Sequence, residues 1–332
     1  MKKRVLFLQT GGTIGMKNTT RGFLKPLQSG HDFLALVPQL SQLAKVSFEQ
    51  IDNIDSSNVT PRHWEKWLKV LKKNYNLFDG FVITHGTDTM VYTASAFSFA
   101  LTNLSKPLVF TGSQRPLGVI RSDAPQNLIN SLESACRGPN KVSICFGNEL
   151  LLGVKATKLS ATNYVAFESF NHPHLAKMGV DYESFWQTEQ KNSSKTQWQT
   201  QFDENVFCFK IFPGINAKIL IETVKNKECH GLVLEAYGTG NVPCVDDSIL
   251  NVIKEAKKLS KPLIIASQCA DGRVDLQKYE CGQKALKLGA LSASDMTTEA
   301  AVVKLMHGLG MNLKGESFKK YFLKNICGER SL

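Results

Sequence analysis

Along this chain, short uninterrupted apolar runs alternate with stretches in which apolar residues recur every three or four positions. The short runs read as strands buried on both faces, and the recurring stretches read as amphipathic helices. Strands are predicted at Val5–Gln9, Val46–Ile51, Gly80–His85, Pro107–Thr111 and Val142–Phe146. Between the second and third, Thr60-Pro61 opens a helix with a capping threonine and a proline at its first position. Trp64, Trp67, Leu68 and Leu71 follow at i, i+3, i+4 and i+7, which sends both tryptophans into the core rather than onto a stacking platform. Further helices are predicted at Tyr92–Leu104 and Ser122–Arg137.

Around Gln187–Gln201 the chain reads QTEQKNSSKTQWQTQ, polar and nearly free of aliphatics, and the alternation stops. This places an N-terminal domain over 1–188, a linker over 189–209 and a smaller C-terminal domain over 210–332. In the last of these, helices are predicted at Asn216–Lys227, Asp246–Leu259, Thr297–Leu309 and Ser317–Lys324, with strands at Gly231–Ala236 and Pro262–Ser267. The fold class is α/β: a larger, doubly wound, mostly parallel N-terminal sheet domain plus a smaller C-terminal α/β domain.

Composition narrows the picture. With 332 residues, 42% of them hydrophobic and 21% charged, disordered, collagenous and coiled-coil readings are excluded. No window approaches the roughly 18 apolar residues of a membrane span. Met-Lys-Lys-Arg is followed by too short an apolar stretch, Val5–Leu8, for a secretion leader, so a soluble cytoplasmic protein is expected. The eight cysteines form no CxxC pair, and several sit in apolar runs such as Ser143-Ile144-Cys145-Phe146. They read as buried reduced thiols, neither a zinc site nor a disulfide framework. The histidines show no HExxH pattern, and His172-Pro-His174 alone is weak support for a metal ligand. A net charge of +11 raises nucleic acid as a partner, yet Lys66, Lys69, Lys72 and Lys73 are spread along a helix without a nucleic-acid-binding motif. A solvated basic surface is expected, and it would draw a substrate carrying a carboxylate.

In parallel α/β sheets ligands collect at the carboxyl ends of strands, so the polar strand-to-helix loops carry the candidate chemistry. Gln9-Thr10-Gly11-Gly12-Thr13-Ile14-Gly15 is neither GxGxxG nor a P-loop, which makes a nucleotide site a poor fit. Its paired glycines permit positive φ and close backbone approach, a tight turn or a means of aiming amides at an anionic atom. Thr84-His85-Gly86-Thr87-Asp88-Thr89-Met90 puts a hydroxyl, a carboxylate and helix-terminal amides at one strand end. Helix capping by Thr87 or Asp88 accounts for one residue and not for the cluster. In Gly153-Val154-Lys155-Ala156-Thr157-Lys158 a buried lysine beside a carboxylate and a threonine would serve proton transfer, and composition does not choose between Lys155 and Lys158.

TGGTIG after the first strand, DSSNVTP at Asp55–Pro61, HGTDTM, TGSQRPLG and RSDAPQN together resemble the bacterial-type L-asparaginases. The resemblance runs on through GVKATK, AYGTGN, SQC and SDMTTEA, so it covers nearly the whole chain, and it is most like the cytosolic type I branch. It implies hydrolysis of L-asparagine to L-aspartate and ammonia through a threonine acyl-enzyme, with no metal or cofactor. It further implies Thr13 as the attacking hydroxyl, with Thr87, Asp88 and Lys158 completing the catalytic set. The amides of Gly12 and Thr87 would form the oxyanion hole. Ser56 and Ser57 match the positions that hold the substrate carboxylate, and Asp88 the position that holds its ammonium. An intimate homodimer, or a dimer of such dimers, is also implied, with Asn241 contributed across the contact between protomers.

One position departs from the family pattern. Its flexible loop brings a tyrosine beside the nucleophile, and Phe23 stands in the matching place. Either that hydroxyl is dispensable, or another tyrosine replaces it, for which Tyr279 of a neighbouring protomer is the candidate, or the enzyme is impaired. Three alternatives stand beside the asparaginase reading. One is the amidohydrolase component of an archaeal-type tRNA-dependent amidotransferase, which carries an extra N-terminal domain that a first strand beginning at Arg4 does not accommodate. The others are a catalytically impaired amino-acid-binding or regulatory homologue and a glutaminase-like amidohydrolase. The sequence does not fix asparagine over glutamine, because one methylene is worth only roughly 1 to 3 kcal/mol of discrimination.

Overall fold

The computed structural model describes residues 2–18, 24–26, 30–187, 195–245 and 249–331. The chain divides into two units, Met1–Trp198 and Gln199–Leu332.

In the first unit, strands β1 (Arg4–Gly11), β2 (Lys45–Ile54), β3 (Gly80–Thr84), β4 (Leu108–Thr111) and β5 (Val142–Phe146) pair in parallel, in the spatial order β2-β1-β3-β4-β5. Every residue of β3, β4 and β5 is buried, as expected of parallel strands covered on both faces. Helices α1 (Pro61–Asn74), α2 (Met90–Ala100) and α3 (Ala124–Arg137) connect them. On α1 the buried side chains are Trp64, Trp67, Leu68 and Leu71, the predicted stripe. The chain runs from β1 out to β2 and returns to the other side of β1 as β3. The strand order therefore reverses between β1 and β3, where an open α/β sheet leaves a crevice at its carboxyl edge.

The sheet then continues antiparallel. Beyond β5 come β6 (Glu149–Leu152), two short strands outside the sheet, β7 (Thr157–Lys158) and β8 (Phe167–Glu168), and then β9 (Ala176–Met178) and β10 (Tyr182–Ser184). β6, β9 and β10 extend the sheet beyond β5 to eight strands, while β7 and β8, among the described residues, pair with each other in a separate two-stranded sheet.

The second unit is a parallel sheet in the order β11 (Val206–Lys210), β12 (Gly231–Ala236), β13 (Leu263–Ser267), β14 (Leu291–Ser292). Its helices are α4 (Ala217–Lys225), α5 (Ile249–Lys258), α6 (Glu280–Lys287), α7 (Thr298–Gly310) and α8 (Gly315–Leu323). Lys304 of α7 forms an ion pair with Glu329 in which both side chains are fully buried. Its ammonium also donates to the Lys324 carbonyl at 2.6 Å, and the amides of Ile326 and Cys327 donate to the carboxylate.

The α/β expectation holds, and four particulars differ. The helix expected at Tyr92–Leu104 ends at Ala100, because Leu101–Thr102 leaves it to pair with Gln197–Trp198. The expected linker 189–209 contains that second pairing segment and the start of β11, so part of it is sheet. The antiparallel extension was not foreseen, its strands being three or four residues long. Cys244 and Cys281 are joined in a disulfide with Cα atoms 5.5 Å apart, against the expectation of reduced thiols throughout. Folding brings the segment after Asn241 against the first turn of α6, 37 residues on, which no local spacing announces.

Candidate active site

The first loop leaves β1 through Gly11 and Gly12, at φ 118° and 80°. A Cβ on Gly11 would stand 2.5 Å from the Ile54 backbone, and one on Gly12 would stand 2.5 Å from the Gly86 nitrogen. Paired glycines are thus required both by φ and by the approach of the end of β2 and the loop after β3. Thr13 opens a single 3₁₀ turn whose Ile14 is fully buried, and Thr13 itself is half-buried.

After β2, the Asp55 carboxylate accepts from the Ser57 amide at 2.9 Å and the Ser57 hydroxyl at 2.7 Å, which hold its pKa below the ordinary value. Ser56 is buried, and its carbonyl accepts from the Thr89 hydroxyl at 2.7 Å. The cap position of α2 is Thr89, so neither Thr87 nor Asp88 occupies it.

After β3, His85 is fully buried and burial lowers its pKa to about 4. Its Nδ1 meets the Gly86 carbonyl at 2.7 Å and must donate there, leaving Nε2 to accept from the Thr93 hydroxyl at 2.9 Å. Trp64 Nε1 donates to the same hydroxyl at 3.0 Å. This relay from α1 through α2 fixes the backbone immediately before Thr87. Reading the sequence did not assign it a role, because a single histidine in a loop carries no pattern of its own.

Lys158, on β7, donates to Thr87 Oγ1 at 2.9 Å and to Asp88 Oδ1 at 2.6 Å. Its side chain is 17% exposed and that of Asp88 63%. Lys155, the other lysine of the segment, is buried. A hydroxyl, an ammonium and a carboxylate in series form a path along which a proton can move. The first unit thus gathers Gly12, Thr13, Ser56, Ser57, Thr87, Asp88 and Lys158 on loops after β1, β2 and β3 and on the short β7.

Two expected contributors lie in the second unit. Asn241 closes a tight turn, its amide donating to the Tyr237 carbonyl at 2.9 Å. Tyr279 precedes α6 and is 49% exposed. The Cys244–Cys281 disulfide lies just past both and fastens their segments together. Phe23 lies outside the described residues.

The chain is similar to known proteins over nearly its whole length. A family profile described as "Asparaginase, N-terminal" matches residues 4–190, and one described as "Glutaminase/Asparaginase C-terminal domain" matches residues 205–322. L-asparaginase 1 of Escherichia coli is 35% identical, with 99% of this chain and 98% of that protein covered. A glutamyl-tRNA(Gln) amidotransferase component of Pyrococcus abyssi is 34% identical, with 98% of this chain but 76% of that protein covered. The solved L-asparaginase of Thermococcus kodakarensis superposes with a TM-score of 0.91 at 34% identity, covering 99% of each chain.

Proposed function

The chain belongs to the asparaginase family, and we propose that it hydrolyses L-asparagine to L-aspartate and ammonia through an aspartyl ester on Thr13. The observation that carries this reading is the Lys158 ammonium lying between Thr87 Oγ1 and Asp88 Oδ1 at the carboxyl edge of the sheet.

The Thr13 hydroxyl attacks the side-chain amide carbon. The oxyanion is received by the amides of Gly12 and Thr87, a kind of donor whose single loss typically costs roughly 100- to 1000-fold in kcat. The C–N bond breaks, ammonia leaves with the proton given up by Thr13, and water then cleaves the ester to release aspartate and restore the hydroxyl. Thr87, Lys158 and Asp88 carry the protons in both halves of the reaction. Ser56 and Ser57 hold the substrate carboxylate, and Asp88, largely exposed, also receives the ammonium. The functional unit is an intimate homodimer in the cytoplasm, in which Asn241 and Tyr279 of one protomer complete the other's site.

The test is ammonia release across a wide range of L-asparagine, with L-glutamine in parallel. Thr13→Ala and Thr87→Ala are each expected to abolish turnover, and mass spectrometry of a rapidly quenched Thr87→Ala sample should show an aspartyl adduct on Thr13. Release undiminished in Thr13→Ala would overturn the assignment, and a folded wild type that releases nothing from either amide would favour a binding homologue impaired at Phe23.

A further inference from the structure

Lys158 is held by a very short element. β7 has two residues, and its partner among the described residues is β8, with Thr157 opposite Glu168 and Lys158 opposite Phe167. Two paired residues do not fix a strand on their own, so Lys158 stands where β8 stands. Phe167 is buried edge-on against Phe146 of β5, with ring centroids 5.0 Å apart. Glu168 Oε1 accepts from the Ser169 amide at 2.7 Å and pairs with His174 Nε2 at 2.7 Å. On the other side of the same ring, Nδ1 is 3.4 Å from Glu149 Oε1 of β6, a strand of the main sheet.

Both imidazole nitrogens therefore face carboxylate oxygens. A carboxylate only accepts and a neutral ring has one N–H, so the ring serves both sides only when doubly protonated. Burial works to raise the Glu168 pKa, and the bonds from His174 and Ser169 more than offset it, leaving it below the ordinary value. The charged groups facing this cluster are Glu149 on β6, Glu168 on β8 and Lys177 on β9, the last paired in register with Glu149.

We propose that His174, set between Glu149 and Glu168, is a positioning residue that ties β8 to the main sheet and thereby holds the Lys158 ammonium on Thr87. The inference rests on the role given to Lys158 above.

The experiment is the pH profile of kcat for asparagine in the wild type, His174→Asn, Glu149→Gln and Lys158→Met. His174→Asn should lower kcat by roughly tenfold or more with KM within about twofold, because the loss falls on a displaced catalytic group. Glu149→Gln presents an amide that can donate to the neutral Nδ1, so its activity should persist to higher pH than that of the wild type. An alkaline limb of Glu149→Gln that coincides with the wild type, or a wild-type kcat in His174→Asn, overturns the proposal. Should His174→Asn fail to fold, the Glu149→Gln profile decides alone. Full activity in Lys158→Met would instead overturn the reading of Lys158 on which the tie depends.

Discussion

A side-chain carbon on Gly12 would stand 2.5 Å from the backbone nitrogen of Gly86, and one on Gly86 would stand 2.5 Å from the Ser56 hydroxyl. Three loops therefore meet at the limit of backbone approach, with Gly12 also at φ 80°. Gly12→Ala should cost about 1 to 3 kcal/mol of stability. It should also lower kcat/KM by at least roughly 100-fold, since the amide offered to the oxyanion moves with the loop. Urea unfolding and ammonia release measure the two effects. Gly15→Ala is the control, because nothing lies within 4 Å of its Cβ position and it has no positive φ.

His85 supplies a stability prediction with a definite sign. Its pKa is lowered from 6.5 to about 4 in the folded chain, so the unfolded chain binds the extra proton in that window. Stability is whole above pH 6.5, falls as pH drops, and levels off below about 4, for a loss of ~3 kcal/mol. Chemical unfolding at a series of pH values should show this slope. His85→Gln should flatten it, while the remaining slope belongs to groups such as His307, lowered to about 4 in the same way.

The buried Lys304–Glu329 pair predicts non-additive mutants. Removing one partner, as in Lys304→Met or Glu329→Gln, leaves a charge without its counter-ion in a fully buried place and should cost ~3 to 5 kcal/mol. Lys304→Met combined with Glu329→Gln should cost less than the sum of the two single changes. Denaturant midpoints of the three variants and the wild type form the cycle that checks this.

The disulfide can be weighed in the same way. Closing a loop of 37 residues removes about 4 kcal/mol of unfolded-state entropy in the chain-entropy account. Cys244→Ser, or a dithiol reductant, should lower the unfolding midpoint accordingly. If Asn241 and Tyr279 complete a neighbouring protomer's site, KM for asparagine should rise as well. An unchanged KM in the folded, reduced protein would separate the bond's structural effect from any effect on the site.

The parallel core was legible because its strands are buried on both faces and read as unbroken apolar runs, as in Gly80–Thr84, and because α1 keeps its apolar stripe apart from its lysines. The antiparallel extension was not, since strands such as Ala176–Met178 are too short to show any period. In the candidate site, the glycines announced a turn but not which loops press on it. Lys155 and Lys158 could not be separated by composition, and the packing does so by burying one and turning the other onto Thr87. The relay through Trp64, Thr93 and His85 joins residues from three segments whose types, taken singly, are ordinary core residues.

Lys158 and Thr87 meet across 71 residues of chain, one on a two-residue strand that follows the antiparallel turn of the sheet and the other at the end of a central parallel strand. Helices can form before that meeting, because their contacts are local, whereas β1 and β3 themselves pair across 75 residues, as in Val5 opposite Gly80. Competence thus follows helix formation on refolding. Recovery of helical signal should precede recovery of turnover, and the lag between them times the docking of the segment that delivers the lysine.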